Sequence, residues 1–234
     1  HHERRRRTCC RRTAAGGVMA IILNGTSHVL ASSDFGASRP TAYTIAQWWR
    51  ADIAATDTST VSVSMSVGQD AAHGDLFLTW RNASLRARAS VHTTGGTYPG
   101  TNTTGITSAN TWIHRIATYA PTSLQYWENG AQVGATNNVT VTASAPASWA
   151  VFVSGISGGA SQRTPGKSCM IAYWDVQLTP GEMVALGKGI SPIHIRPQSL
   201  RYFVPGLRDA NAVIGTTATA TNLTYDDDNP RIYL

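Results

Sequence analysis

The segment Val61-Ser62-Val63-Ser64-Met65-Ser66-Val67 alternates apolar and hydroxyl side chains with a period of two. In an extended chain successive side chains point to opposite faces, so the four apolar groups share one face and the serines the other. Leu85, Ala87, Ala89 and Val91 alternate in the same way with Arg86, Arg88 and Ser90. Strand texture recurs over Tyr43–Arg50, Leu76–Arg81, Thr111–Tyr119, Leu124–Glu128, Trp149–Val153, Met170–Val176 and Leu200–Val204. Gly68-Gln69-Asp70, Gly95-Gly96, Pro99-Gly100 and Gly158-Gly159 punctuate these runs. Many short strands with turn chemistry between them predict an all-β sandwich or barrel.

Two local elements are specified more closely. Thr111–Tyr119 and Leu124–Glu128 form a hairpin across Ala120-Pro121-Thr122-Ser123, and the second strand ends in Asn129-Gly130, a strong turn signal. In the strand before that turn, Leu124 and Tyr126 share one face, while Gln125 and Trp127 share the other. Farther on, Thr179-Pro180-Gly181-Glu182 reads as a capping box with proline at the first helical position. It predicts one short helix near 180–188, with Met183, Val184 and Leu186 as its apolar face.

The chain has 234 residues, a suitable length for one large β domain, and only 14% of them are charged. Its net charge of +6 looks like a nucleic-acid footprint until it is located. Without residues 1–18, 13 basic residues face 12 acidic ones, a net of +1, and the basic residues form no stripe. No nucleic-acid partner is expected for the body. Nor is a membrane partner, since no apolar run is long enough to span a bilayer.

Residues 1–18 admit three readings: a basic arm, a secretion signal leading into Ala14–Leu23, or an upstream extension with Met19 as the start. The extension is preferred, because Arg runs and Gly-Gly are what a purine-rich ribosome-binding region gives when translated. The division expected is a leader over 1–18, a sandwich over 19–208, and a tail over 209–234 packing on the sandwich or on a partner. Cys169 lies alone in a strand pattern and reads as a buried free thiol.

Trp112-Ile113-His114-Arg115-Ile116-Ala117-Thr118-Tyr119 followed by Leu124 to Gly130, then Ile171 to Thr179 with Glu182, Ala185-Leu186, Gly189 and Pro192, resemble the laminin-G-like branch of the concanavalin A-like lectin/glucanase superfamily. The resemblance covers the second half of the body. It implies a jelly-roll β-sandwich of two antiparallel sheets. Ile195-Arg196-Pro197, Leu200 to Leu207 and Asn229 to Ile232 are similar to extensions of phage and bacterial versions. Two departures stand out: no acidic residue follows Thr118-Tyr119, and Glu128 replaces an aliphatic residue.

Some members of that superfamily hydrolyse glucans with closely spaced carboxylates, a chemistry that needs a nucleophile and an acid/base about 5 Å apart. After Met19 this chain holds two glutamates, Glu128 and Glu182, neither with an acidic neighbour two residues on. No catalytic residue is therefore expected, and the chain reads as a structural or binding module. His114, beside Trp112 and Ile116, reads as a hydrogen-bonded core histidine. Trp48, Trp112 and Trp174 read as packing groups.

For carbohydrate, stacking rings and amides point to Trp127, Gln125, Trp49, Trp80 and Tyr98, with Trp127 as the exposed one. Asp226, Asp227 and Asp228 are the sole acidic cluster and the candidate ligands for Ca²⁺; no other cofactor is expected. The preferred role is a phage virion protein, a head decoration or tail-associated component in many copies, contacting capsid or tail proteins. The alternative is a carbohydrate-binding module of a secreted or surface protein, contacting cell-surface glycans. Localisation follows the same choice, virion or extracellular.

Overall fold

The computed structural model describes residues 20–24, 29–32, 35, 40–51, 61–69, 76–81, 86–91, 100–102, 110–138, 148–153, 165–206, 213–215, 218–221, 224–226, 230 and 232. Within them the chain forms two antiparallel sheets, as its alternation requires. Sheet A contains β1 (Ala20–Asn24), β3 (Tyr43–Ala51), β8 (Ile113–Ala120), β9 (Ser123–Glu128), β10 (Ala131–Gln132), β12 (Pro165–Trp174), β13 (Leu200–Val204) and β15 (Thr224–Asp226). Its order is β10-β9-β8-β3-β12-β1-β15, and β13 pairs the second half of β12 beyond the stretch paired with β1. Sheet B contains β2 (Val29–Ser32), β4 (Val61–Gln69), β5 (Leu76–Arg81), β6 (Arg86–Val91), β7 (Gly100–Asn102), β11 (Ser148–Val153) and β14 (Ala218–Thr221), in the order β14-β2-β11-β4-β5-β6-β7.

The sheets stack face to face. Between them lie Ile21, Leu23, Tyr43, Ile45 and Trp49 from sheet A, opposite Met65, Val67, Leu78, Ala89, Val91, Val151 and Val153 from sheet B. The apolar stretch weighed as a secretion signal thus supplies core residues through β1, while the leader itself lies outside the described residues. Two turns set the hairpin registers. Pro121-Thr122 closes β8–β9, and Asn129-Gly130, with φ of 49° and 81°, closes β9–β10. Positive φ at both central residues matches strand twist in a two-residue hairpin, the reason Asn-Gly is favoured there.

The alternation in β4 is interrupted. A register shift falls between Val63 and Met65 against β5, so Ser64 does not continue the polar face. It is buried, and its hydroxyl contacts sheet A. A β-bulge re-aims one side chain at the cost of a ladder position; here that side chain is a serine the simple period places on the opposite face.

Residues after β12 fold back over the outer face of sheet A. The Thr44 hydroxyl, on β3, donates to the Val176 carbonyl at 2.8 Å and accepts from the Leu178 N–H at 3.1 Å. Helix α1 (Pro180–Gly187) follows with the full capping box: Glu182 N–H donates to the Thr179 hydroxyl, and Thr179 N–H donates to the Glu182 carboxylate. A 3₁₀ turn, Pro192–His194, then leads to β13, and Trp174 Nε1 holds this path by donating to the Ile195 carbonyl at 2.8 Å. The 209–234 segment supplies β14 to the edge of sheet B and β15 to the edge of sheet A.

Candidate binding surfaces and the buried polar layer

A polar layer crosses the space between the sheets. Arg115 lies on the same face of β8 as Ala117 and Tyr119 and is 1% exposed. Its Nε donates to the Tyr126 hydroxyl at 2.8 Å and its Nη1 to the Ser64 hydroxyl at 2.9 Å. The Tyr126 hydroxyl donates onward to Glu128 Oε1 at 2.5 Å. Gln47, paired with Arg115 across β3–β8, donates through Nε2 to Ser64 and accepts from the Ser168 hydroxyl at 3.0 Å. Burial pushes the Tyr126 hydroxyl well above its ordinary range, followed by the opposed effects of Arg115, which lowers it, and Glu128, which raises it.

An ionised group this deep is tolerated only when its donors are matched and a counter-charge is close. The Tyr126 hydroxyl links the guanidinium to the Glu128 carboxylate. That carboxylate is engaged in the chain. The layer therefore ties β8, β9, β3 and β12 to the bulge of β4. Sequence reading missed it, although period two already placed Arg115 among core residues.

The outer face of sheet A is closed. Ala46, Ile116, Trp127, Cys169, Ala172 and Trp174 form a second core with Met183 and Leu186 of α1 and with Ile195, Leu200 and Phe203. Trp127, expected at the surface, is 7% exposed, and its Nε1 donates to Gln125 Oε1 at 3.1 Å. The face assignment in β9 holds, but the face is covered by the helix. Trp49 is likewise displaced from the candidate set, being 1% exposed between the sheets. Trp80 lies on β5, paired by backbone with Ser62 and Ala87, and its side chain is outside the described residues. Tyr98 is outside them altogether, as are Asp227 and Asp228.

Asp226, the described member of the acidic cluster, is ion-paired with Lys167 at 2.5 Å. An ammonium on the carboxylate competes with a cation for the same oxygens. Among the described residues no group of three His, Cys, Asp or Glu side chains is arranged to hold a metal. Cys169 is buried, as its strand position implies, and burial pushes its thiol up.

The second glutamate is also committed. Besides the Thr179 cap, Glu182 accepts from Arg196 Nε at 2.5 Å. Burial works to raise its pKa, but the Thr179 N–H, Arg196 and the Thr179 hydroxyl hold it below the usual carboxylate range. Gly181, in the first turn, has nothing within 4 Å of where a Cβ would stand. Gly181→Ala is expected to raise stability by about 0.5–1 kcal/mol through the unfolded chain, read as a higher denaturation midpoint with unchanged slope.

His114 is buried in the second core, with its ring 5.1 Å from that of Trp48. It is a core residue, as expected; its Nδ1 has no hydrogen-bond partner, and its ring packs against Trp48. Burial lowers its pKa to about 3. The unfolded chain takes up a proton near pH 6.5 and the folded one only near 3, so this site removes stability as pH falls through that window. The slope is about 1.4 kcal/mol per pH unit. His114→Gln is expected to flatten the acid limb of a pH series of denaturation midpoints, and an unchanged limb would contradict a buried neutral imidazole.

A shallow groove beside α1 is lined by Gly181, Val184, Ala185, Lys188 and Ile190. Among the described residues no helix is long and apolar enough to cross a membrane.

No curated protein matches the sequence. Among solved structures, a heptameric SAP-like pentraxin from Limulus polyphemus is similar with a TM-score of 0.63 at 11% identity, over 90% of this chain and 95% of that one. A putative carbohydrate-binding protein from Bacteroides ovatus gives 0.69 at 13% identity, over 92% of this chain and 61% of that one. The ligand-binding domain of botulinum neurotoxin serotype D, in complex with N-acetylneuraminic acid, gives 0.54 at 9% identity, over 73% and 42%. These likenesses establish the fold. Residues 23–183 match a laminin G-type sequence model, and on that match the chain belongs to the concanavalin A-like lectin/glucanases superfamily.

Proposed function

We propose that the protein is a non-catalytic binding module that recognises glycans through the side of the sandwich formed by sheet B. The observation that carries this reading is the employment of both glutamates after Met19: Glu128 belongs to the buried Tyr126–Arg115 chain and Glu182 to the helix cap. Closure of the outer face of sheet A by α1 and the 190–206 segment leaves sheet B and its connecting segments for ligand. Tyr98, two residues ahead of β7, is the remaining aromatic candidate there, since Trp80 shares the face of β5 that carries the core residue Leu78. The lectin-like and carbohydrate-binding neighbours support the same class of role.

Glycan-array binding that is lost in Tyr98→Ala, with the melting transition intact, is the expected result. Trp127→Ala is expected to lower stability by about 3–5 kcal/mol, the cost of emptying a buried aromatic site, rather than to act on binding alone. No binding across a broad array by the folded protein would overturn the glycan reading.

A second reading, a multi-copy virion component contacting capsid or tail proteins, draws on the similarity of Ile195-Arg196-Pro197 and the Leu200 to Leu207 segment to phage versions of the family. Its test is abundance: many copies of the chain in purified virions.

A further inference from the structure

The Asn129-Gly130 turn is gripped from two sides. On β8, the His114 N–H donates to Asn129 Oδ1 at 2.9 Å, and the His114 carbonyl accepts from the Asn129 N–H at 2.9 Å. From the other side, α1 lies on the peptide that joins the pair. A Cβ at Gly187 would overlap the Gly130 nitrogen, and the Val184 carbonyl oxygen stands 3.1 Å from where a Gly130 Cβ would be. Asn129 itself is exposed. The Gly130 nitrogen is the reactive atom of such a pair, because glycine puts no Cβ in the way of attack by its backbone nitrogen on the preceding carboxamide. Asparagine is thermolabile for this kind of reason.

We propose that Asn129 is a deamidation site that docked α1 keeps closed, and that its conversion holds α1 away from the hairpin thereafter. The Gly130 nitrogen gives up its proton to solvent and attacks Asn129 Cγ. The new N–Cγ bond closes a succinimide, the Cγ–Nδ2 bond breaks, and ammonia leaves. Water then opens the ring at either carbonyl, giving aspartate or isoaspartate. Attack requires rotation about the Asn129 backbone to bring Cγ onto the nitrogen. With α1 docked, Gly187 packs against that nitrogen while His114 retains the carboxamide oxygen. Isoaspartate lengthens the main chain by a methylene, so the paired φ angles of 49° and 81° that shape the tight turn are lost. Gly187 then has no matching seat, and Trp127, which packs with Met183 and Leu186 of α1, stays uncovered. The site lies on sheet A and is independent of what the sheet B surface binds.

Incubation of the full chain at mildly alkaline pH, followed by peptide mapping by mass spectrometry, tests the proposal. In denaturant, Asn129 and the chain's other Asn-Gly pair, Asn24-Gly25, are expected to convert at similar rates. In the folded chain Asn129 is expected to convert at least about tenfold more slowly than in denaturant, because the rate follows the fraction of molecules with α1 open. Gly187→Ala is expected to recover most of that factor, and Gly181→Ala, on the same helix, to recover none. Should Gly187→Ala not fold, Glu182→Ala removes the cap and the Arg196 ion pair without touching the turn, and is expected to raise the rate several-fold. The converted protein, separated by its added negative charge, is expected to show red-shifted tryptophan emission. Equal rates in the folded and denatured chain, no acceleration in a folded α1 variant, or converted protein with unshifted emission would overturn the proposal.

Discussion

Replacing Arg115 with alanine is expected to lower the unfolding free energy by about 2–6 kcal/mol, since it leaves two buried hydroxyl partners unmatched at about 1–3 kcal/mol each. The guanidinium is the hub to which Tyr126 and Ser64 bond, and through Ser64 it reaches Gln47. Its loss leaves these groups unmatched in the interior. Tyr126→Phe keeps the ring and removes one link, so its cost is expected near 1–3 kcal/mol. Chemical denaturation with an unchanged slope measures both. Near-equal, small losses for the two variants would show that the layer is solvated rather than structural. A concerted replacement of Arg115, Tyr126 and Glu128 by apolar residues is expected to recover much of the loss, since it removes every unmatched group together.

The second large effect is expected at Gly187. A Cβ there would stand 2.1 Å from Gly130 N and 2.5 Å from the Asn129 carbonyl carbon. Both obstacles are backbone, so no side chain can swing aside. Gly130 is fixed in turn by its φ of 81° and by Val184 of α1, 3.1 Å from its own Cβ position. Gly187→Ala must therefore lift α1 away from the Asn129-Gly130 turn. The expected loss is about 3 kcal/mol, the upper part of the range for overpacking. Because α1 covers Trp127, tryptophan emission should also shift to the red. The contrast with Gly181→Ala, six residues earlier in the same helix and expected to stabilise, separates a docking effect from helix propensity. Equal behaviour of the two variants would mean that α1 is not held against the hairpin as described.

Strand alternation and the capping box were legible in the sequence because both are local: period two needs a few residues, and a cap needs four. The Asn129-Gly130 turn was legible for the same reason. Non-local features were not. Nothing near Ser64 signals that β4 bulges opposite β5, and only the assembled sandwich shows its hydroxyl meeting Arg115 from the other sheet. Trp127 was placed on the correct face of β9, but whether that face meets water depends on α1, more than fifty residues later. The 209–234 segment reads as a tail because Thr216–Leu234 is Thr/Ala-rich and then acidic; its strands form by pairing with β2 and β1, which that composition does not report. The candidate site divides likewise. Burial removes Trp127 and Trp49 from the ligand surface, which is why the proposed site falls to sheet B.

The most direct test of the central claim is to incubate the folded protein with the best-bound glycan from an array and follow both by mass. Saturable binding with the glycan recovered intact at every time, and lost in Tyr98→Ala, is the expected result. Release of a cleaved or transferred sugar that depends on Glu128 would contradict it.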